Sequence, residues 1–143
     1  MPTPRNPDWP EKLADVIRNS QTRRFEYGTF DCCLFANDAI RAMTGVDIMH
    51  GLRGVYRDAD SAHRVIKQFG VSLDDAVGYV ASTYGWRKWD VPTKARRGDL
   101  ALVDLRGNPA AGIVTTAGVV GPDRRGGLLT LPTRHILAAW SVG

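Results

Sequence analysis

The sequence contains no long apolar segment. None of its apolar runs approaches the roughly 20 residues that a helix needs to cross a bilayer, which argues against a transmembrane protein. The first residues, MPTPRNPDWPEKL, also lack the apolar region of a signal peptide. We therefore expect no membrane span, and a protein that stays in the cytoplasm where it is made or is assembled there into a larger structure.

Cysteine is scarce, since the 143 residues contain only Cys32 and Cys33, which are adjacent. Consecutive Cα atoms lie about 3.8 Å apart, closer than most disulfides allow. A structural zinc site would need a second pair of ligands, which the sequence does not offer. We therefore expect no disulfide framework, no metal and no cofactor.

A strong charge of either sign is also missing, because the formal net charge is only +4. The basic residues include three isolated pairs, Arg23–Arg24, Arg96–Arg97 and Arg124–Arg125. A nucleic-acid-binding surface usually carries a continuous basic stripe or a basic helix face. The charge pattern is typical of a solvated surface, and we expect no nucleic-acid partner.

The N-terminal half contains helical patterns with clear boundary signals. In NPDWPEKLADVIRNS, Asp8 is a candidate N-cap, and Glu11 stands three residues later, as in a capping box. In DCCLFANDAIRAMTG, apolar residues recur at helical spacing between the candidate N-cap Asp31 and Gly45, a favourable C-terminal residue. The pattern predicts that Cys32 lies in the first turn of this second helix.

Two shorter helices are expected next, one closed by Gly70 and one beginning at Ser72. Beyond Trp89 the pattern changes to short β-prone runs separated by turn residues: GDLALVDL, GIVTT, AGVVG, GLLTLP and HILAAWSVG. Helices followed by strands, without βαβ alternation, predict an α+β fold with N-terminal helices packed on a small antiparallel sheet. We expect one domain over residues 9–143, preceded by a proline-rich arm over residues 1–8.

The cysteine at a helix N-terminus is the main candidate for chemistry. The free N–H groups and the positive end of the helix dipole stabilise a thiolate and a developing oxyanion. A histidine from a later strand would then act as general base. The alternative is that Cys32 is a small buried side chain, as free cysteines often are, and that Asp31 is only the N-cap.

Several segments resemble NlpC-type cell-wall cysteine peptidases, which have a papain-like fold. YGTFDCCLFANDAI is similar to the helix opening of that family, in which an aromatic residue and a glycine precede an Asp-Cys pair. RRGDLALV resembles the segment that begins the first strand of their sheet, and AAGIVTTAGVVG resembles the strand pair that follows. The resemblance runs from about residue 9 to the end and implies a single NlpC/papain-like domain with Cys32 as nucleophile.

The order of the motifs is most similar to a family of small uncharacterised proteins from phage and prophage tail gene clusters. The shared features are the early tryptophan helix, TGVD, LRGVYRD, RRGDLALV, a Gly-Pro-Asp turn and AAWSVG. This resemblance implies a virion protein of the tail tip or baseplate, assembled in the host cytoplasm. Its partners would be other tail proteins, in an assembly that is commonly symmetric.

One position departs from the peptidase pattern. The base histidine of NlpC-type enzymes stands just before the strand residues Gly-Ile, where this sequence has Ala110–Ala111. Alanine cannot accept a proton. Among the three histidines, His50 follows the cysteine helix and His63 is expected on a surface helix, so we expect only His135, before the last strand, to reach Cys32.

The sequence leaves two functions open. The first is a structural component of a phage tail tip or baseplate, built on a degenerate peptidase fold. The second is a cysteine endopeptidase that cleaves peptidoglycan stem peptides during phage entry, with Cys32 as nucleophile and His135 as base. The segment YGWRKW, from Tyr84 to Trp89, has the composition of an interface, and core packing is the alternative.

Overall fold

The computed structural model describes all 143 residues as four α-helices followed by a five-stranded antiparallel sheet. The helices are α1 (Trp9–Ser20), α2 (Cys32–Thr44), α3 (Ala59–Lys67) and α4 (Leu73–Thr83). The strands are β1 (Leu100–Leu105), β2 (Asn108–Thr115), β3 (Gly118–Pro122), β4 (Leu128–Leu131) and β5 (Ile136–Trp140). The predicted α+β class, a single small domain with helices packed on an antiparallel sheet, is confirmed. None of the helices has both the length and the apolar character needed to span a bilayer.

The sheet has the strand order β4-β3-β2-β1-β5, with every neighbouring pair antiparallel. Strands β1 to β4 follow one another as hairpins, and the chain then returns to place β5 beside β1. The outer edge of β5 is bonded by the segment before the sheet, since the Trp89 amide donates to the Ala139 carbonyl at 2.8 Å and the Ser141 amide to the Arg87 carbonyl at 2.8 Å. Strand β4 has no strand on its outer side.

Helix α2 packs against the centre of the sheet because its apolar residues recur on one face. Phe35, Ala39, Ile40 and Met43 are fully buried in the larger of two apolar clusters. Alternate residues of the strands contribute to this cluster, namely Leu100, Leu102, Ala111, Ile113, Val120, Ala138 and Trp140. The intervening strand residues form a smaller cluster on the other face of the sheet: Ala101, Val103, Val114, Val119, Ile136 and Ala139.

The predicted capping box of α1 is wrong. Asp8 occupies the N-cap position, but its side chain makes no hydrogen bond to the helix, because its backbone does not have the extended conformation from which a cap residue reaches the first turn. A reciprocal capping box forms instead at α3. The Asp58 carboxylate accepts a hydrogen bond from the Ser61 amide, and the Asp58 amide donates one to the Ser61 hydroxyl.

Residues 1–8 pack along the domain in the structure. The Thr3 amide donates to the Tyr84 carbonyl at 2.9 Å, and the Asn6 amide donates to the Met43 carbonyl at 2.7 Å. The Arg5 guanidinium donates to the Val142 carbonyl and forms an ion pair of 2.7 Å with the buried Asp99. The N-terminal segment is thereby attached to the chain's own helices and strands.

The two tryptophans of the YGWRKW segment pack inward, whereas Gly85, Arg87 and Lys88 are exposed. Trp86 is 3% exposed, and its indole N–H donates to the Thr3 carbonyl at 3.0 Å. The Trp89 indole N–H donates to the Asp99 carboxylate at 2.9 Å, and its ring packs on the smaller apolar cluster. Both indoles face inward, so of the two interpretations of this segment the structure supports core packing.

Candidate functional site

The N-terminus of α2 is held in place by the buried carboxylate of Asp31. One carboxylate oxygen accepts from the Leu34 amide at 3.0 Å, which caps the helix as predicted. The other accepts from the Gly28 amide at 2.9 Å and from the Tyr56 hydroxyl at 2.7 Å. Asp31 thus joins the loop before the helix, the helix itself and the segment before α3 into one rigid unit.

Gly28 permits a close approach between two of these segments. Its φ of +83° lies in the left-handed region, and a Cβ at this position would stand 2.0 Å from the Tyr56 carbonyl oxygen. The Gly28 carbonyl also accepts from the Gly54 amide at 2.9 Å. Any side chain would push the segment that carries Tyr56 away from the cysteine helix.

The two cysteines differ in acidity although they are neighbours. Both are half-buried, and their sulfur atoms lie 4.0 Å apart. Hydrogen bonding from the Cys33 thiol lowers the pKa of Cys32 below its ordinary value, with further help from the backbone amides of Ala111 and Cys33. The same pairing, together with burial, raises the pKa of Cys33 well above its ordinary value. These directions make Cys32 the more acidic thiol of the pair.

The backbone of Ala111 in β2 lies within hydrogen-bonding reach of the Cys32 sulfur. Ala111, which pairs with Leu102 of β1, belongs to the apolar cluster on the helix-facing side of the sheet. Ala110 packs instead against the smaller cluster on the opposite face. Neither Ala110 nor Ala111 has a side chain that can accept a proton, so these two positions of β2 provide no general base for Cys32.

Cys32 opens onto a cleft of about 580 Å³. One part of the wall comes from Phe25 and Tyr27, and another from the β1–β2 turn with Arg106. The Arg124 guanidinium donates to the Tyr27 hydroxyl at 2.7 Å and lies over the rings of both aromatic residues. Aromatic and arginine side chains therefore line the cleft together with the Cys32 thiol. The cleft volume is in the range of ligand-binding pockets.

The three histidines lie in different places. His135 ends a short 3₁₀ turn, Thr133–His135, before β5, and it does not line the cleft that contains Cys32. His50 lies in the loop between α2 and α3 and is also absent from the cleft wall. His63 does line the cleft, from the exposed face of α3. The structure therefore brings Asp31, Cys32 and His63 to one cleft, and it leaves His135 outside.

His63 is a cleft residue that the sequence alone does not identify. The sequence predicts it on a surface helix, and it does lie on the exposed face of α3. However, Ala59, His63 and Ile66 are spaced i, i+4 and i+7, so that they share one side of α3, and all three line the cleft. This spacing could have identified His63 if the direction of α3 relative to α2 had been known.

The side chains around this thiol do not form a metal-ligating cluster. No group of three or more histidine, cysteine, aspartate or glutamate side chains is arranged to hold a metal ion. The Asp31 carboxylate, which lies nearest to the sulfurs, already accepts three hydrogen bonds. The groups at hand suit nucleophilic or binding chemistry at the sulfur and not metal coordination.

A family model described as a domain of unknown function, DUF6950, matches residues 4–142. The chain belongs to this family. The DUF6950 match includes Arg5, the cysteine helix, the cleft and all five strands, so the whole fold is the family domain. No curated protein matches the chain.

Proposed function

We propose that this DUF6950 protein is a structural component of a bacteriophage tail tip or baseplate, built on an NlpC-type, papain-like cysteine peptidase fold with an incomplete catalytic site. The fold assignment is supported by a cysteine that starts a helix packed on an antiparallel sheet, and by RRGDLALV leading into β1. The tail assignment is supported by the resemblance of the motif order to tail-cluster proteins. Its partners are other tail proteins, and its location is the virion.

The observation that carries the proposal is the Ala111 position opposite the Cys32 sulfur. A peptidase needs a proton acceptor beside its nucleophile and a proton donor for the leaving amine. The sheet supplies neither at this position, and the loss of general acid–base help costs roughly 10²–10⁴-fold in rate. A fold that keeps the thiol but lacks the base on its sheet is better suited to binding and assembly than to turnover.

The sheet edge offers a surface for such assembly. Strand β5 is bonded on its outer side by residues 87–89, whereas the four-residue strand β4 has an unpaired outer edge. Unpaired strand edges can accept a strand from another chain. Assembly through β4 would leave the N-terminal segment, which Arg5 ties to Asp99, on its own domain.

Complementation of a phage that encodes this chain tests the structural role. A phage lacking the gene is expected to form no infectious tails, and a plasmid copy carrying Cys32→Ala is expected to restore infectivity to the wild-type level. Mass spectrometry of purified virions should detect the restored protein. Failure of Cys32→Ala to complement, with the protein folded and present in the particles, would show that the thiol is needed and would overturn the proposal.

A second candidate function, cleavage of peptidoglycan stem peptides, is favoured by the lowered pKa of Cys32 in an open cleft. In this case the Cys32 thiolate attacks the peptide carbonyl carbon, and amides at the start of α2 stabilise the oxyanion. The peptide C–N bond breaks to leave a thioester on Cys32, which water then hydrolyses to release the acyl fragment and the free thiol. Because His135 lies outside the cleft, the imidazole available within it is that of His63. His63 would hold the thiol proton and return it to the leaving amine.

Incubation with purified peptidoglycan distinguishes the two functions. The structural proposal expects no soluble muropeptides from the wild-type protein above the level released by Cys32→Ala. Release by the wild type that is lost in both Cys32→Ala and His63→Ala would establish the peptidase. His135→Ala serves as the matched control, since its imidazole lies outside the cleft.

A further inference from the structure

A second cavity lies beneath α3 and α4 and is entirely apolar. It has a volume of about 100 Å³, and all 18 lining residues are hydrophobic. The helices contribute Ala36 from α2, Ala62 and Ile66 from α3, and Val77 from α4. The one hydroxyl among the lining side chains, that of Tyr56, donates to Asp31.

A void of this size is unusual in a packed interior. Protein cores are close-packed, with few voids larger than a water molecule. Water would find no free hydrogen-bond partners among these side chains, whereas a dry apolar cavity of about 150 Å³ binds benzene or xenon. The chamber is therefore suited to a hydrocarbon group of a few carbon atoms and not to a polar ligand.

The chamber adjoins the cysteine cleft. Six residues line both cavities: Cys33, Tyr56, Ala62, Ile66, Leu73 and Ala111. A ligand in the chamber thus lies directly behind the cysteine pair, and a longer ligand can extend into the cleft. The cleft side carries polar groups, including His63 and Arg106, which can face the polar end of such a ligand.

Helix α3 provides a route of entry. None of its residues is fully buried, although Val65 and Ile66 line the chamber with Ala62. A helix held by few buried contacts opens at a lower free energy than the rest of a domain. The chamber is already partly open to solvent, and outward movement of α3 would widen it.

We propose that the chamber is a binding site for the end of a short unbranched aliphatic chain, whose polar end lies in the cleft beside Cys32. The site is independent of the proposed tail function, because it rests on the apolar lining and not on the missing base. The occupant is defined by chemistry: an alkyl end that fills the chamber, attached to a polar group that remains in the cleft.

Methyl-labelled protein titrated with xenon and with 1-hexanol tests this site. Xenon should shift the ¹³C-methyl resonances of chamber residues such as Val77 and Val80 saturably. Hexanol should shift the same methyl resonances and, in addition, slow the alkylation of Cys32 by iodoacetamide several-fold. An absence of saturable shifts with both probes would overturn the proposal.

Two substitutions on α3 form a matched pair for this experiment. Ala62 lines the chamber, whereas Ala59 lines only the cleft. Ala62→Leu should fill the chamber and abolish the xenon shifts, and Ala59→Leu should leave them unchanged. If Ala62→Leu does not fold, Ala76→Leu on α4 takes its place, since Ala76 lines the chamber as well. Shifts that persist in the filled variant would place the probes elsewhere and refute the site.

Discussion

At the scale of single residues, the Asp31 carboxylate is the group on which the cysteine site depends. It is 3% exposed and accepts hydrogen bonds from two amides and the Tyr56 hydroxyl. Asp31→Ala leaves these donors without a partner in a buried place. We expect a loss of about 3 kcal/mol in the free energy of unfolding, measured by urea denaturation.

Ser72→Ala is the matched control for this loss. Ser72 caps α4 with a bond to the Asp75 amide at 3.2 Å, but it is exposed and serves a single donor. Its replacement should cost about 1 kcal/mol. If the two variants lose equal stability, Asp31 is an ordinary cap, and its bonds to Gly28 and Tyr56 contribute nothing measurable.

Also at this scale, Cys33 is the neighbour that we expect to influence the acidity of Cys32 most. Because hydrogen bonding from Cys33 is the largest cause of the lowered pKa of Cys32, Cys33→Ala should raise that pKa. A higher pKa means less thiolate at pH 7, so alkylation of Cys32 by iodoacetamide should slow, and the midpoint of its pH profile should move to higher pH.

Cys33→Ser separates this effect from a change in packing. The serine hydroxyl retains a donor near the sulfur, so the alkylation profile of Cys32 should stay closer to that of the wild type than in Cys33→Ala. Mass spectrometry of the wild-type protein at limited reagent should find the label on Cys32 first, since the pKa of Cys33 is raised. Equal profiles in the alanine and serine variants would argue against the donor role.

At the scale of elements, the N-terminal segment is fixed to the sheet by one ion pair. Arg5 bonds to Asp99, whose carboxylate is 1% exposed, and also to the carbonyls of Val142 and Arg97. Arg5→Ala leaves a buried carboxylate without its counter-charge. We expect a loss of about 3 kcal/mol in the free energy of unfolding, measured in urea.

An exposed arginine–aspartate ion pair on α1 provides the control. Arg18 pairs with Asp15 at 2.5 Å, but the two side chains are 67% and 53% exposed. Arg18→Ala should change the free energy of unfolding by less than about 0.5 kcal/mol. A comparably small effect of Arg5→Ala would mean that the segment is attached mainly by its backbone bonds at Thr3 and Asn6.

Elements were predictable where the signal is local. Asp31 before an apolar helix ending at Gly45 gave α2 its bounds, since Gly45 has a φ of +82° and bonds to Arg41 as the pattern indicated. Glycine- and proline-rich turns separated the five strands in the same way. Asp8 shows the limit of such signals. It is a favourable residue type at the N-cap of α1, but its backbone conformation does not let its carboxylate accept a hydrogen bond from the first turn of the helix.

The composition of the cleft was not predictable, because it depends on contacts between distant segments. His63 reaches the cleft only because the segment before α3 folds back onto Gly28 and Asp31, through the Gly54 amide and the Tyr56 hydroxyl. No periodic pattern in the sequence predicts that the segment before α3 folds back onto Gly28 and Asp31. The absence of a base in β2, in contrast, was visible in the sequence as alanine.

At the scale of the whole molecule, the two halves of the domain differ in how firmly they are packed. Helix α2 and the central strands share the larger apolar cluster, whereas α3 contributes no fully buried residue and forms part of the chamber wall. Stability should therefore be lowest on the side of the cleft that carries His63. This distribution would let the cleft and the chamber open together while the cysteine helix stays in place.

Native-state hydrogen exchange should reveal this difference directly. Amides of α3 are expected to exchange through local opening, several kcal/mol below the global free energy of unfolding, while those of α2 and β1 exchange only near the global value. Ser61→Ala, which breaks the capping box of α3, should lower protection in α3 and leave α2 unchanged. Exchange of α3 amides only through global unfolding would mean that the helix is an integral part of the core, and that the chamber does not widen by local opening of α3.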